Sequence, residues 1–137
     1  MESEDGIHFG DKEVAISWED YPENYTCHIR DPKVWKDGEE YRMILGGRQK
    51  GDKGAVLFYR SEDLKNWKFD RELTTETTFG YMWECPDFFS LEGQEVLSVS
   101  PQGLIREEFR FQNIYQSGYF ILKDGKPEEK TFREWDY

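Results

Sequence analysis

The chain's 137 residues are enough to bury a core and form one domain. With 29 acidic against 18 basic residues its formal charge is −11, which argues against nucleic acid and anionic membranes as partners, since both need a cationic face; plain solubility accounts for the acidity. Aromatic residues make up 17%, a share that fits an all-β core or, less commonly, a site where flat rings stack on sugar faces.

In chain order, Met1 to Asp5 is acidic and no long apolar run follows, so no signal peptide is expected. No stretch approaches the roughly 20 apolar residues of a membrane span. Two cysteines, Cys27 and Cys85, make no disulfide framework, and a soluble, reducing, cytoplasmic setting is the default. The apolar runs are short, rich in β-branched and aromatic residues, and bounded by Gly, Asp and Pro. They predict strands over Val14–Trp18, Lys33–Trp35, Tyr41–Gly46, Ala55–Ser61, Lys68–Leu73, Asp87–Leu91, Glu95–Ser100, Asn113–Leu122 and Lys130–Trp135. Asp37-Gly38, Glu92-Gly93 and Asp124-Gly125 punctuate them as hairpin turns, because Gly tolerates positive φ. Gly46 to Gly54 reads as a flexible, polar hairpin loop; no helix start follows to make it a phosphate cradle.

The chain echoes itself. Ser3-Glu4-Asp5 with Phe9 matches Ser61-Glu62-Asp63 with Trp67, and Pro32 to Trp35 matches Pro86 to Phe89. A repeat of this length, made of about four short strands, predicts propeller blades. On that phase residues 1–18 end one blade, about 29–73 form a second and about 84–137 a third.

Two carboxylates stand out. Glu84 lies in Gly80-Tyr81-Met82-Trp83-Glu84-Cys85-Pro86-Asp87, among residues that disfavour ionisation, as a general acid requires. Asp31 lies 53 residues earlier in Arg30-Asp31-Pro32, again before a proline and a strand, which predicts equivalent places in adjacent blades with both side chains on one side. Taken alone, an Arg-Asp pair before a strand is more often a turn salt bridge than a catalytic pair. Cys27, His28 and Cys85 lack the spacing of zinc ligands.

The stretches Arg30-Asp31-Pro32, Tyr59-Arg60-Ser61, Glu84-Cys85-Pro86, Ser100-Pro101-Gln102-Gly103 and Tyr115 to Tyr119, in that order, resemble glycoside hydrolase family 32, the invertase and sucrose-6-phosphate hydrolase group. The resemblance covers nearly the whole chain. It implies an all-β fold, a fragment of about two blades from a five-bladed β-propeller, in a retaining β-fructofuranosidase that needs no cofactor or metal. It assigns Glu84 as acid/base and Asp31 as transition-state stabiliser, with Arg30 and Asp31 binding the fructosyl group. Tyr81, Trp83 and Cys85 become possible pocket residues. The family's nucleophile belongs to an Asn-Asp-Pro motif, and no such triplet occurs in these 137 residues, so an inactive fragment is expected. The implied substrates are sucrose, sucrose-6-phosphate or a related fructoside. Arg48, Lys50 and Lys53 are phosphate candidates by charge alone. The competing reading is a non-catalytic carbohydrate-binding or structural remnant. Cut blade surfaces predict a homo-oligomer.

Overall fold

The computed structural model describes residues 1–113 and 115–135, and among these it has eight strands and no α-helix. The strands are β1 (Tyr25–Asp37), β2 (Glu40–Gln49), β3 (Lys53–Ser61), β4 (Lys68–Leu73), β5 (Met82–Leu91), β6 (Gln94–Gln102), β7 (Gly118–Ile121) and β8 (Arg133–Glu134). They form two four-stranded antiparallel sheets, in the orders β1-β2-β3-β4 and β5-β6-β7-β8. Each sheet is a meander in which every strand pairs with the next in sequence.

The expected turns are present. Glu92 and Gly93 join β5 to β6 with φ of 51° and 81°, and Asp124 and Gly125 turn with 50° and 72°. Positive φ at both central residues gives a turn whose twist matches that of the strands.

The sheets pack face to face. Ile44, Val56, Phe58 and Leu73 of the first meet Trp83, Leu97, Val99 and Phe120 of the second, with Phe79, Phe111 and Phe132 closing the core. Side chains alternate along a strand, so Met43, Leu45, Ala55, Leu57 and Tyr59 point to the other face of the first sheet. There they pack with Tyr25 and with Ile16 of the N-terminal segment. Burial on both faces explains why β3 reads as a near-continuous apolar run.

Several expected elements differ. Val14–Trp18 is not a strand. Ser17 donates its N–H and hydroxyl to the Asp20 carboxylate at 3.0 and 2.9 Å, which closes a 3₁₀ turn over Trp18–Asp20. Local side-chain bonds of this kind offer the backbone an alternative to a ladder. The strand expected over Asn113–Leu122 shrinks to Gly118–Ile121, with residue 114 outside the described residues. Lys130–Trp135 becomes a 3₁₀ turn over Glu129–Thr131 followed by the short β8. β1 and β5 both begin before their prolines instead of after them, because bulges absorb the missing N–H groups.

Gly46–Gly54 is not a flexible loop either. Strands β2 and β3 run through it, with residues 50–52 as the turn. Its glycines are packing residues. A β-carbon on Gly46 would lie 2.2 Å from the Trp83 carbonyl oxygen, and one on Gly54 would lie 2.3 Å from the Trp83 indole.

The Ser-Glu-Asp echo is a repeated turn. Asp63 accepts the N–H groups of Lys65 and Asn66 at 2.9 and 2.8 Å, and Ser61 accepts that of Leu64 at 2.9 Å. Asp5 accepts the N–H groups of Ile7 and His8, both at 2.8 Å, and Ser3 accepts that of Gly6 at 2.8 Å. Lys65 binds Glu2 at 2.9 Å and ties the two turns together. Backbone and side-chain donors from Asn66, with Lys65 and Ser61, hold the Asp63 carboxyl well below the usual carboxylate range. A depressed folded pKa gives stability that is complete above the unfolded value of about 3.9 and is lost as pH falls below it. Asp63→Asn should therefore be less stable than the parent chain in urea at pH 7. The gap should narrow progressively below about pH 4. A gap that widens on acidification would contradict this account of the turn.

Candidate active site

The two carboxylate motifs occupy matching bulges. The ladder slips between Arg30 and Lys33 in β1, and between Glu84 and Asp87 in β5. Asp31 and Cys85 take positive φ, 58° and 46°, each directly before a proline. A residue preceding proline is normally held in extended conformations, so both positions are strained, and the surrounding sheet holds them there. The bulges re-aim the side chains of Arg30, Asp31 and Glu84 out of the regular alternation.

The structure corrects the equivalence expected from sequence. The repeat offset is 54 residues, and Asp31 matches Cys85 while Arg30 matches Glu84. Each match is also a contact. Arg30 Nη1 donates to Glu84 Oε1 at 3.1 Å, and the Cys85 N–H donates to Asp31 Oδ2 at 3.0 Å. Lys33 Nζ binds Asp87 Oδ2. Three contacts between repeat-equivalent residues thus join the first strands of the two sheets. Complementary charge sets the pairing: basic at Arg30 and Lys33, acidic at Glu84 and Asp87.

Gly46 makes this approach possible. It is the register partner of Arg30 in β2, and the space of its absent side chain holds the Trp83 carbonyl, with Glu84 Cα beside it. Any larger residue would push β5 away from β1 and separate the motifs.

Glu84 is half-buried and held at both oxygens. Oε1 faces Arg30, and Oε2 accepts from Gln102 Nε2 at the end of β6. Arg30 in turn meets His28 Nδ1 at 2.7 Å. Sequence reasoning gave no role to Gln102 or His28, although Gln102 stood in the Ser100 to Gly103 stretch. The Tyr, Met and Trp neighbours of Glu84 do not wrap its carboxyl, whose partners are polar. Trp83 is fully buried in the intersheet core and donates its indole N–H to the Phe79 carbonyl at 2.6 Å. Burial pushes the Cys85 thiol up, and the Asp31 carboxylate beside it pushes it further, so Cys85 stays a neutral thiol. Its Sγ lies 3.7 Å from Asp31 Oδ2.

Tyr81 lies outside this cluster. Its ring carries the Arg48 guanidinium at 5.0 Å and borders a cleft of about 630 Å³ between Gly103 to Ile105 and Arg110. Neither Asp31 nor Glu84 lines that cleft, and the convergent ionisable groups lie at the bulges. Arg48 is bound to Asp52, and Lys53 to the Glu76 carbonyl at 3.1 Å. Among the described residues no three of His, Cys, Asp and Glu gather as metal ligands, and no helix is long and apolar enough to cross a membrane.

Comparisons with known proteins agree with the motifs. The family model described as the glycosyl hydrolases family 32 N-terminal domain matches residues 1–137. Sucrose-6-phosphate hydrolase of Bacillus subtilis is 46% identical over 143 residues, spanning 98% of this chain and 29% of that protein. Sucrose-6-phosphate hydrolase of Escherichia coli is 43% identical over 117 residues, 85% of this chain and 24% of that protein. Among solved structures, a Bombyx mori GH32 beta-fructofuranosidase superposes with a TM-score of 0.74 at 41% identity, over 85% of this chain and 26% of its own. The sucrose-6-phosphate hydrolase of Lactobacillus gasseri gives 0.70 at 32% identity, over 90% and 25%. The chain therefore spans under a third of the proteins it resembles, and it belongs to glycoside hydrolase family 32, within the N-terminal domain of that family.

Proposed function

We propose that the protein carrying this chain is a retaining β-fructofuranosidase acting on sucrose or sucrose-6-phosphate, with Glu84 as its acid/base. The observation that carries this reading is the bulge cluster: a half-buried carboxyl held at both oxygens, beside a second carboxylate anchored on the next peptide N–H. Relatives named as sucrose-6-phosphate hydrolases, and a Bombyx mori beta-fructofuranosidase mutant solved in complex with sucrose, support the substrate class.

In this reading Glu84 protonates the glycosidic oxygen as the bond to the fructosyl carbon breaks and its electron pair moves to that oxygen. Glu84 then takes a proton from the water that releases the sugar. Asp31 and Arg30 bind the fructosyl hydroxyls, and Asp31 steadies the positive charge of the oxocarbenium-like transition state. Each sheet is one blade of a five-bladed ring. Retention also needs a nucleophilic carboxylate about 5–5.5 Å from the acid/base. The Asn-Asp-Pro motif that would supply it is not among these 137 residues. Free thiols at Cys27 and Cys85 suit a cytoplasmic setting. Exposed Val34, Phe89 and Leu91 favour self-association of the chain by itself.

The test is fructose release from sucrose by two purified proteins. One is the chain alone. The other is the Bacillus subtilis sucrose-6-phosphate hydrolase with its matched stretch replaced by this chain. The chain alone should be inactive and the chimera active. A folded but inactive chimera would count against the catalytic reading, as would full activity of the chain alone against the missing nucleophile.

A further inference from the structure

We propose that Gln102 is the positioning residue for Glu84, and that its neutral amide makes Oε2 the oxygen that carries and recovers the transferred proton. The proposal rests on the reading of Glu84 as acid/base.

The two oxygens of Glu84 have unlike partners. Oε1 faces the Arg30 guanidinium at 3.1 Å, and Oε2 faces the Gln102 side-chain amide. A guanidinium is always charged and offers only donors. Protonating Oε1 would cancel a charge-assisted bond and set a neutral acid against a cation. Protonating Oε2 weakens a bond to a neutral donor and leaves the ion pair with Arg30 in place. The proton therefore belongs on Oε2, and the residual negative charge of the ionised form collects at Oε1.

Gln102 is built into its place. It ends β6 as the register partner of Met82, its carbonyl accepts the Tyr81 N–H at 2.9 Å, and it bridges to Tyr115. Its amide presents nitrogen to Glu84, the orientation the ionised carboxylate requires, since the reversed amide would then set two acceptor oxygens against each other. The other polar groups nearby have partners of their own. Asp31 takes the Cys85 N–H, Asp87 takes Lys33, and His28 holds the far side of Arg30. Among the described residues Gln102 is the one uncharged side chain bonded to the Glu84 carboxyl, and its NH₂ can hold Oε2 by one lone pair while the other remains for the proton.

Two measurements test this. In the ¹⁵N-labelled chain, Glu84→Ala should shift the Gln102 side-chain amide protons, as expected when a donor loses a carboxylate acceptor. Unmoved resonances would overturn the contact. In the chimera, Gln102→Met keeps length and removes the donor. Turnover of sucrose should fall about ten- to a hundred-fold with KM nearly unchanged, the loss of one oriented hydrogen bond at a transferring group. With an aryl β-fructofuranoside, whose leaving group needs little protonation, the first step, read as the burst of aryl product, should be slowed much less than turnover of sucrose. A first step slowed as much with the aryl substrate as turnover of sucrose is, or a change confined to KM, would refute positioning. Glu84→Gln in the same chimera separates the two readings. An active Glu84→Gln protein removes the acid/base assignment itself. An inactive one beside an unaffected Gln102→Met removes only the role of Gln102. If the chimera does not fold, the amide resonances in the chain decide.

Discussion

Trp83→Ala should lower the stability of the chain by about 3–5 kcal/mol, the usual cost of emptying a buried large aromatic site. Trp83 is 0% exposed, and it sits where the two sheets meet. Its ring lies 5.3 Å from that of Phe120, and its indole fills the space over Gly54. Truncation removes those contacts and leaves the Phe79 carbonyl without the indole donor that now binds it at 2.6 Å. The opposing backbone at Gly46 and Gly54 has no side chain with which to fill the gap. For a domain of this size the loss corresponds to a fall in melting temperature of roughly 10–15 °C. Trp18→Ala is the matched control. Trp18 is 72% exposed, so its removal should change stability by no more than about 0.5 kcal/mol. Thermal unfolding of both variants checks the prediction, and similar shifts for the two would mean that Trp83 is not the joint between the sheets.

The fold class was legible because a meander is written locally. Each turn carries its own signal, as Glu92-Gly93 does, and strands carry their own apolar sets, as Ala55 to Tyr59 does within β3. Long-range compensation was not legible. Gly46, Gly47 and Gly54 look like a flexible loop in one dimension, yet they are glycines because Trp83 and Tyr25 approach the backbone there. Nothing near Gly46 in sequence announces a contact with a residue almost 40 positions away. Val14–Trp18 failed for the opposite reason: its alternation suits a strand, but a short Ser17–Asp20 bond captures the backbone first.

The site divides in the same way. Arg30, Asp31 and Glu84 could be singled out because each precedes a proline at a strand-like run, and the proline forces a bulge. Their mutual arrangement was misjudged by one residue. Motif spacing sets Asp31 against Glu84, whereas contacts between the two sheets set Arg30 against Glu84 and Asp31 against Cys85. A slip of one residue matters here, because it turns two like charges at equivalent places into an opposed pair in contact. Gln102 was invisible as a partner because its amide reaches Glu84 diagonally across the β5–β6 ladder, from the position opposite Met82. Cross-strand register decides such contacts, and register is a property of the folded sheet.

In the chimera, Glu84→Gln should reduce turnover of sucrose by about 10²–10⁴-fold, the range that a positioned general acid contributes. The amide keeps the size of the side chain and can still accept from Arg30, so the fold and the substrate site should survive and KM should change little. The loss arises because an amide neither supplies a proton to the departing oxygen nor recovers one from water. An interaction made only in the transition state lowers kcat and kcat/KM together, in contrast to a lost binding contact, which raises KM alone. The two chemical steps should also separate. With an aryl leaving group the first step needs little proton donation and should be nearly spared. The second, in which Glu84 deprotonates water, remains impaired for every substrate. A burst of the aryl product followed by slow steady release is therefore expected, the kinetic signature of a covalent intermediate that accumulates. Rapid-mixing measurements of phenol and fructose release distinguish the outcomes. Undiminished turnover would move the acid/base away from Glu84. Equal slowing of both steps with the aryl substrate would show that the carboxyl shapes the site without transferring the proton.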